Sequence, residues 1–118
     1  MRRLAISRFG GPEVLEWQEV PDPTPAPGEL LVRTTAFAVM WADLLEREGR
    51  YPGMGEPPLP AGHDLAGVVA AHGEGVDGPP LGTRVFGIRP MSGSAAELVT
   101  VRADWVYPTP EQLGDAEA

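Results

Sequence analysis

The stretch "GHDLAGVVAAHGEGV", Gly62–Val76, carries two signals at once. Its apolar run, Leu65–Ala71, lies between turn residues and reads as a strand. Gly67 inside that run points to close backbone packing within a barrel. At the mouth of the strand His63 and Asp64 stand side by side, between a loop and the apolar run, where a metal ligand pair could sit. Yet the chain has no cysteine. Catalytic zinc takes three protein ligands plus water or substrate, and His63 with Asp64 offers at most two. The expectation is therefore that no metal binds, and that His63 is a strand-entrance histidine hydrogen-bonded to backbone.

Outward from this stretch the pattern is that of a turn-rich β fold. "RRLAISR", "VLEWQEV", "ELLVRTTAFAV", "RVFGI" and "AELVTV" are further short apolar or alternating runs, and "GGPE", "PDPTPAPGE", "GEGVDGPPLG" and "MSGS" separate them. Only "WADLLEREG" reads as a helix. Trp41, Leu44, Leu45 and Glu48 fall at helical spacing, and Gly49 is placed to end the helix in a left-handed cap. The Pro/Gly-rich loop Arg50–Gly62 follows, long enough to be functional. "PEQLGDAEA" at the end has the look of a beginning helix.

Composition narrows the classes. The 118 residues suffice for one domain with a modest core. No run approaches the ~18 apolar residues of a membrane span. The net charge of −8 comes with nine arginines, no lysine and no basic block, so neither nucleic acid nor an anionic membrane is an expected partner. The N-terminus lacks the apolar core of a signal peptide, which leads to the expectation of a cytoplasmic protein.

"FGGPEVLEWQEVPDPTPAPGELLVRTTAFAV", "WADLLEREGRYP", "LPAGHDLAGVVAAHGEGV", "LGTRVFGI" and "GSAAELVTVRADWVYPTPEQL" together resemble the medium-chain dehydrogenase/reductase superfamily, in particular its zinc-free quinone oxidoreductase branch. The resemblance covers essentially the whole chain. It implies a mainly β fold with one short helix, a GroES-like, partly open β-barrel over residues 1–110. Residues 111–118 would begin an interdomain helix, and the family's Rossmann domain would be missing. Gly62, His63, Gly67, Gly73 and Val76 fit the spacing of the zinc alcohol dehydrogenase signature, with Asp64 in place of glutamate. The cysteine ligand of those enzymes corresponds to Met40, a poor zinc ligand, so a zinc-type alcohol dehydrogenase domain is not expected.

The same resemblance implies hydride transfer from NADPH or NADH to a small quinone or enone, without zinc, with the cofactor bound mainly by a domain outside this chain. A homodimer would form through that domain. Met40, Trp41 and Tyr51 would border the substrate, with Met40 and Asp43 near the cofactor. Each has a plainer alternative. Met40 is either an adaptable apolar wall or packing behind the helix. Trp41 is core by spacing, with an edge left for a ligand. Asp43 is either a cofactor-side residue or, preferably, an acid at the helix N-terminus paired with Arg47. Tyr51 either hydrogen-bonds or protonates the acceptor as a catalytic residue, or merely covers a loop. No G-x-G-x-x-G turn leading into a helix is present, so the chain alone is expected to be inactive. A free-standing module that binds a small ligand or a partner chain is the alternative to an enzyme domain.

Overall fold

The computed structural model describes residues 1–118. Eight strands and one helix follow in the order β1 (Arg2–Ile6), β2 (Leu15–Glu19), β3 (Glu29–Ala36), α1 (Trp41–Arg47), β4 (Leu59–Pro60), β5 (Asp64–His72), β6 (Arg84–Ile88), β7 (Leu98–Arg102) and β8 (Val106–Pro108). All pairings are antiparallel. One sheet has the order β2-β1-β4 and the other β7-β3-β5-β6-β8, and neither closes on itself. This is the open, mainly β architecture with one short helix expected from the punctuation of the sequence.

The alternating residues of the larger sheet make the main core: Leu30 and Val32 of β3, Leu65 and Val69 of β5, Val85 of β6, Val99 and Val101 of β7, and Val106 of β8. β-branched residues suit these half-buried pleated faces. A smaller cluster of Ile6, Val14, Ala61 and Ala95 lies under the three-stranded sheet. The central pair β3–β5 approaches closely at Gly67, where an added Cβ would collide with the Arg33 carbonyl oxygen and sit 2.7 Å from a Val32 methyl. Only glycine fits there.

Two elements differ from the sequence expectation. Leu59–Pro60, within the long loop, pairs with β1, so Arg50–Gly62 is not all loop. Proline is tolerated because β4 is a two-residue edge strand. Residues 111–118 form turns and no helix. A segment this short cannot sustain a helix unaided, and its polar groups are bound to the barrel. Arg84 donates to Asp115 Oδ1 at 2.8 Å and to the Leu113 carbonyl at 2.6 Å, while the Thr35 hydroxyl donates to Asp115 Oδ2 at 2.7 Å.

Gly67→Ala should destabilise the fold by about 1–3 kcal/mol through overpacking, read as a lower urea midpoint with unchanged slope. The Thr35 hydroxyl, and then Arg84, hold the Asp115 carboxyl below the usual aspartate range. A depressed folded value means that this anchor is at full strength above the ordinary aspartate value, about 3.9, and is lost as pH falls through the folded one. Amide exchange around Asp115 should therefore rise in acid, and Asp115→Asn should flatten that dependence.

Candidate functional site

The β3–β5 register decides what meets at the site. Ala36 at the end of β3 lies opposite Ala66 near the start of β5. The chain leaving β3 for α1 thus crosses the entrance of β5, where His63 immediately precedes the strand. Ala38 N–H donates to Asp64 Oδ1 at 2.7 Å and pins the crossing. Asp43 caps α1 by accepting Met40 N–H on Oδ2 at 2.7 Å, satisfying a donor that would otherwise lack a partner. At the other end Gly49, with φ +73°, terminates the helix, as a left-handed glycine does.

Asp43 and Glu46, three apart on α1, face His63. His63 Nε2 lies 3.2 Å from Glu46 Oε2 and 3.9 Å from Asp43 Oδ1. The three side chains are 8%, 7% and 15% exposed for His63, Glu46 and Asp43, so water screens their charges little. Despite this proximity, Nε2 makes no aligned hydrogen bond, and Asp43 Oδ1 has no partner. Glu46 Oε2 is also 3.2 Å from the Ser92 hydroxyl. That hydroxyl has one proton, and its shorter contact, 2.6 Å, is to the Pro60 carbonyl. Ser92 adopts φ +62°, rare outside glycine, and so ties the loop before β7 to β4 and to the helix.

Beside the cluster opens a cavity of about 260 Å³, whose walls include Glu46, Tyr51, Met54, His63, Met91 and Ser92. Tyr51 stacks at a tilt over His63, ring centroids 5.8 Å apart and planes at 40°. The fold therefore brings together Tyr51, His63 and two adaptable methionines.

Other expectations require correction. Trp41 is 72% exposed and belongs to no core. The inward face of α1 runs through Asp43 and Glu46, not through Trp41 and Glu48, because His63 offers a polar surface for that face to meet. Met40 is half-buried at the helix N-terminus and is not among the residues lining the Tyr51 cavity. Asp43 does not pair with Arg47; its carboxylate caps the helix, while Arg47 donates to the Gly10 carbonyl at 3.1 Å and lies 3.5 Å from Glu48. His63 faces carboxylates where a backbone partner was expected. Asp64, counted with it as a ligand pair, is occupied by Ala38 N–H. The reading of the sequence missed Glu46 and Ser92 altogether. The i,i+3 spacing of Asp43 and Glu46 was the available signal.

The alcohol dehydrogenase GroES-like domain family matches residues 26–111. The chain belongs to that family. It is 35% identical over 114 residues to the quinone oxidoreductase of Mus musculus, an alignment covering 96% of this chain and 34% of the relative. It is 38% identical over 122 aligned positions to the synaptic vesicle membrane protein VAT-1 homolog of Homo sapiens, covering 100% of this chain and 30% of that protein. The crystal structure of Escherichia coli quinone oxidoreductase complexed with NADPH superposes with a TM-score of 0.90 at 29% identity, over 98% of this chain and 35% of that one. The chain thus spans about a third of the length of these relatives, as a GroES-like domain of medium-chain dehydrogenase/reductases.

Neither of the groups bound in such proteins fits these residues in the usual way. A thiolate zinc site would need a cysteine where Met40 stands. A dinucleotide pyrophosphate needs a glycine-rich turn between a parallel strand and a helix N-terminus; here the strands are antiparallel throughout, and α1 has seven residues with its N-terminus closed by Asp43.

Ser92→Ala should lower stability by about 1–2 kcal/mol through the lost hydroxyl bond to Pro60. Ser92→Gly should recover part of that loss, since glycine takes positive φ without penalty. Urea unfolding of the two variants distinguishes these contributions.

Proposed function

We propose that this chain is the acceptor-side domain of an NAD(P)H-dependent quinone or enone reductase. The observation that carries the proposal is the cavity between α1 and the Tyr51 loop, in a GroES-like domain similar to part of known quinone oxidoreductases. Methionines at 54 and 91 give it pliable apolar walls suited to a flat conjugated ring, and Tyr51, at 38% exposure, is the most exposed of the residues that bring a side-chain hydrogen-bond donor to it. A nicotinamide, held by another domain, supplies hydride when bound. As the acceptor is reduced, its carbonyl oxygen gains negative charge. Tyr51 would stabilise that oxygen by donating a hydrogen bond and would steer its protonation. The residues around the cavity orient the acceptor and exclude water from it.

An uncovered apolar stretch supports the same reading. Phe37, Val39 and Trp41, between β3 and the start of α1, are 38%, 74% and 72% exposed. Exposed apolar side chains close together mark contact surfaces, and a further domain docking on this stretch would cover them.

The test is a fusion of these 118 residues to the nucleotide-binding domain of a relative. The fusion should oxidise NADPH with a quinone, whereas the isolated chain should not. In the fusion, Tyr51→Phe should reduce kcat about a hundredfold or more, the usual contribution of a proton-handling group, and leave KM nearly unchanged. Turnover by the isolated chain would sink the divided-site reading; a silent Tyr51→Phe would reduce Tyr51 to a wall.

A further inference from the structure

We infer that Arg3 and Arg89 form a binding site for a phosphate group, in a cavity at the seam between the two sheets. The seam is where Arg3 of β1 bridges Ala96, just before β7. A cavity of about 130 Å³ opens there, with walls that include Arg3, Pro23, Pro60, Arg89, Gly93 and Thr100 and no acidic residue. It shares only Pro60 with the Tyr51 cavity. The charge balance of the chain singles out these two arginines. Arg2, Arg47, Arg50, Arg84 and Arg102 each reach a carboxylate. Arg8 and Arg33, which do not, are exposed to water. Arg3 and Arg89 are half-buried, and their guanidinium bonds go to Gln18 and to the Thr100 carbonyl, not to an acid. The chain has 17 acidic residues, so the lack of a counterion is particular to this cavity.

Both guanidinium groups are held in place with donors to spare. Arg3 Nε and Nη2 donate to Gln18 Oε1 at 3.2 and 3.1 Å, which leaves Nη1 free. Arg89 Nε donates to the Thr100 carbonyl at 3.0 Å, which leaves both Nη groups free. Glycine at position 93 makes room for one of them, since a Cβ there would stand 2.8 Å from Arg89 Nη1. Burial pushes the Arg89 pKa down; the acid that acts against this, Glu29, is beyond ion-pair distance and accepts Ala26 N–H. A cation partly out of water without a counterion is costly, and an anion in the cavity would offset that cost. The donors select the anion. A guanidinium fork matches a pair of oxygens on carboxylate or phosphate. Two forks need two such edges, which a tetrahedral phosphate has and a carboxylate lacks. A charge of about −1.5 to −2 at pH 7 also balances two arginines. At ~30 Å³ for each water, the cavity has the room of roughly four, enough for such a group.

The inference is independent of the reductase reading, and its test uses the 118-residue chain without any cofactor. Inorganic phosphate and phenyl phosphate are titrated at constant ionic strength, with chloride as the balancing ion, and followed by NMR of backbone amides and arginine Nε–H groups. Saturable shifts are expected at Arg3, Arg89, Gly93 and Thr100. Tighter binding of phenyl phosphate assigns the site to a phosphate ester lying on the prolines; equal or weaker binding assigns it to the free ion. Arg3→Gln and Arg89→Gln should each weaken binding about tenfold or more, as loss of a charged hydrogen-bond partner does. Arg8→Gln makes the same charge change on an exposed arginine outside the cavity. It should alter affinity less than about twofold, because water and salt screen it. If Arg89→Gln fails to fold, Arg89→Lys, which keeps the charge and loses the fork, should weaken binding in its place. Absence of saturable shifts in the wild type overturns the inference, whatever the variants do. So does saturation centred on other residues, equal affinity in wild type and a folded Arg89 variant, or a loss in Arg8→Gln as large as that in Arg89→Gln.

Discussion

The close packing of β3 on β5 at Gly67 is the constraint on which the rest of this structure depends. It sets two antiparallel strands backbone to backbone at the centre of the larger sheet. It thereby fixes where one strand ends and the other begins, and that alone places α1 across the entrance of β5. The helix contributes little to the core: Trp41 is in solvent and Glu46 is its one buried residue. Its inward side is therefore available for polar residues, which a core helix would not tolerate.

The buried cluster that results is costly. Placing two carboxylates and an imidazole out of water is repaid only by good geometry and full hydrogen bonding. Here the capping bond to Met40 N–H satisfies one oxygen of Asp43, while Oδ1 and the His63 nitrogen stay unmatched. Apolar residues of similar size would serve packing better. The arrangement breaks the local rule that buried polar groups are paired, and such violations concentrate at functional sites.

The strands were legible because their signal is strictly local: alternation or a β-branched run, then a turn. Residues of β3, β5, β6 and β7 announce themselves in this way. The short strands β4 and β8 do not, since two or three residues carry no period and their pairing is decided by distant partners. The helix was legible as a helix but its inward face was misread. Leucines at 44 and 45 drew the apolar stripe toward Trp41 and Glu48, whereas the helix turns Glu46 toward a histidine seventeen positions later in the chain. Helical spacing puts Asp43 and Glu46 on one side; it cannot say that His63 waits there. The zinc question shows the same limit. Counting donors along the chain found His63 with Asp64, its neighbour. Alternation along the strand sends that neighbour elsewhere, to Ala38 N–H, and the donors beside His63 come from another element.

Tyr51 links the two halves of the site. It follows the Gly49 cap closely enough to be positioned by the helix, and its ring rests on His63, which is positioned by β5. Ser92 closes the circuit from the third side, holding the Pro60 carbonyl from a backbone conformation that costs free energy and lying against Glu46. Residues from four separate segments thus converge on one imidazole and one carboxylate. A shift of α1 relative to β5 would move Glu46, Tyr51 and the cavity wall together. Whatever occupies the cavity therefore meets the buried cluster directly, through the Glu46 and His63 side chains in its wall.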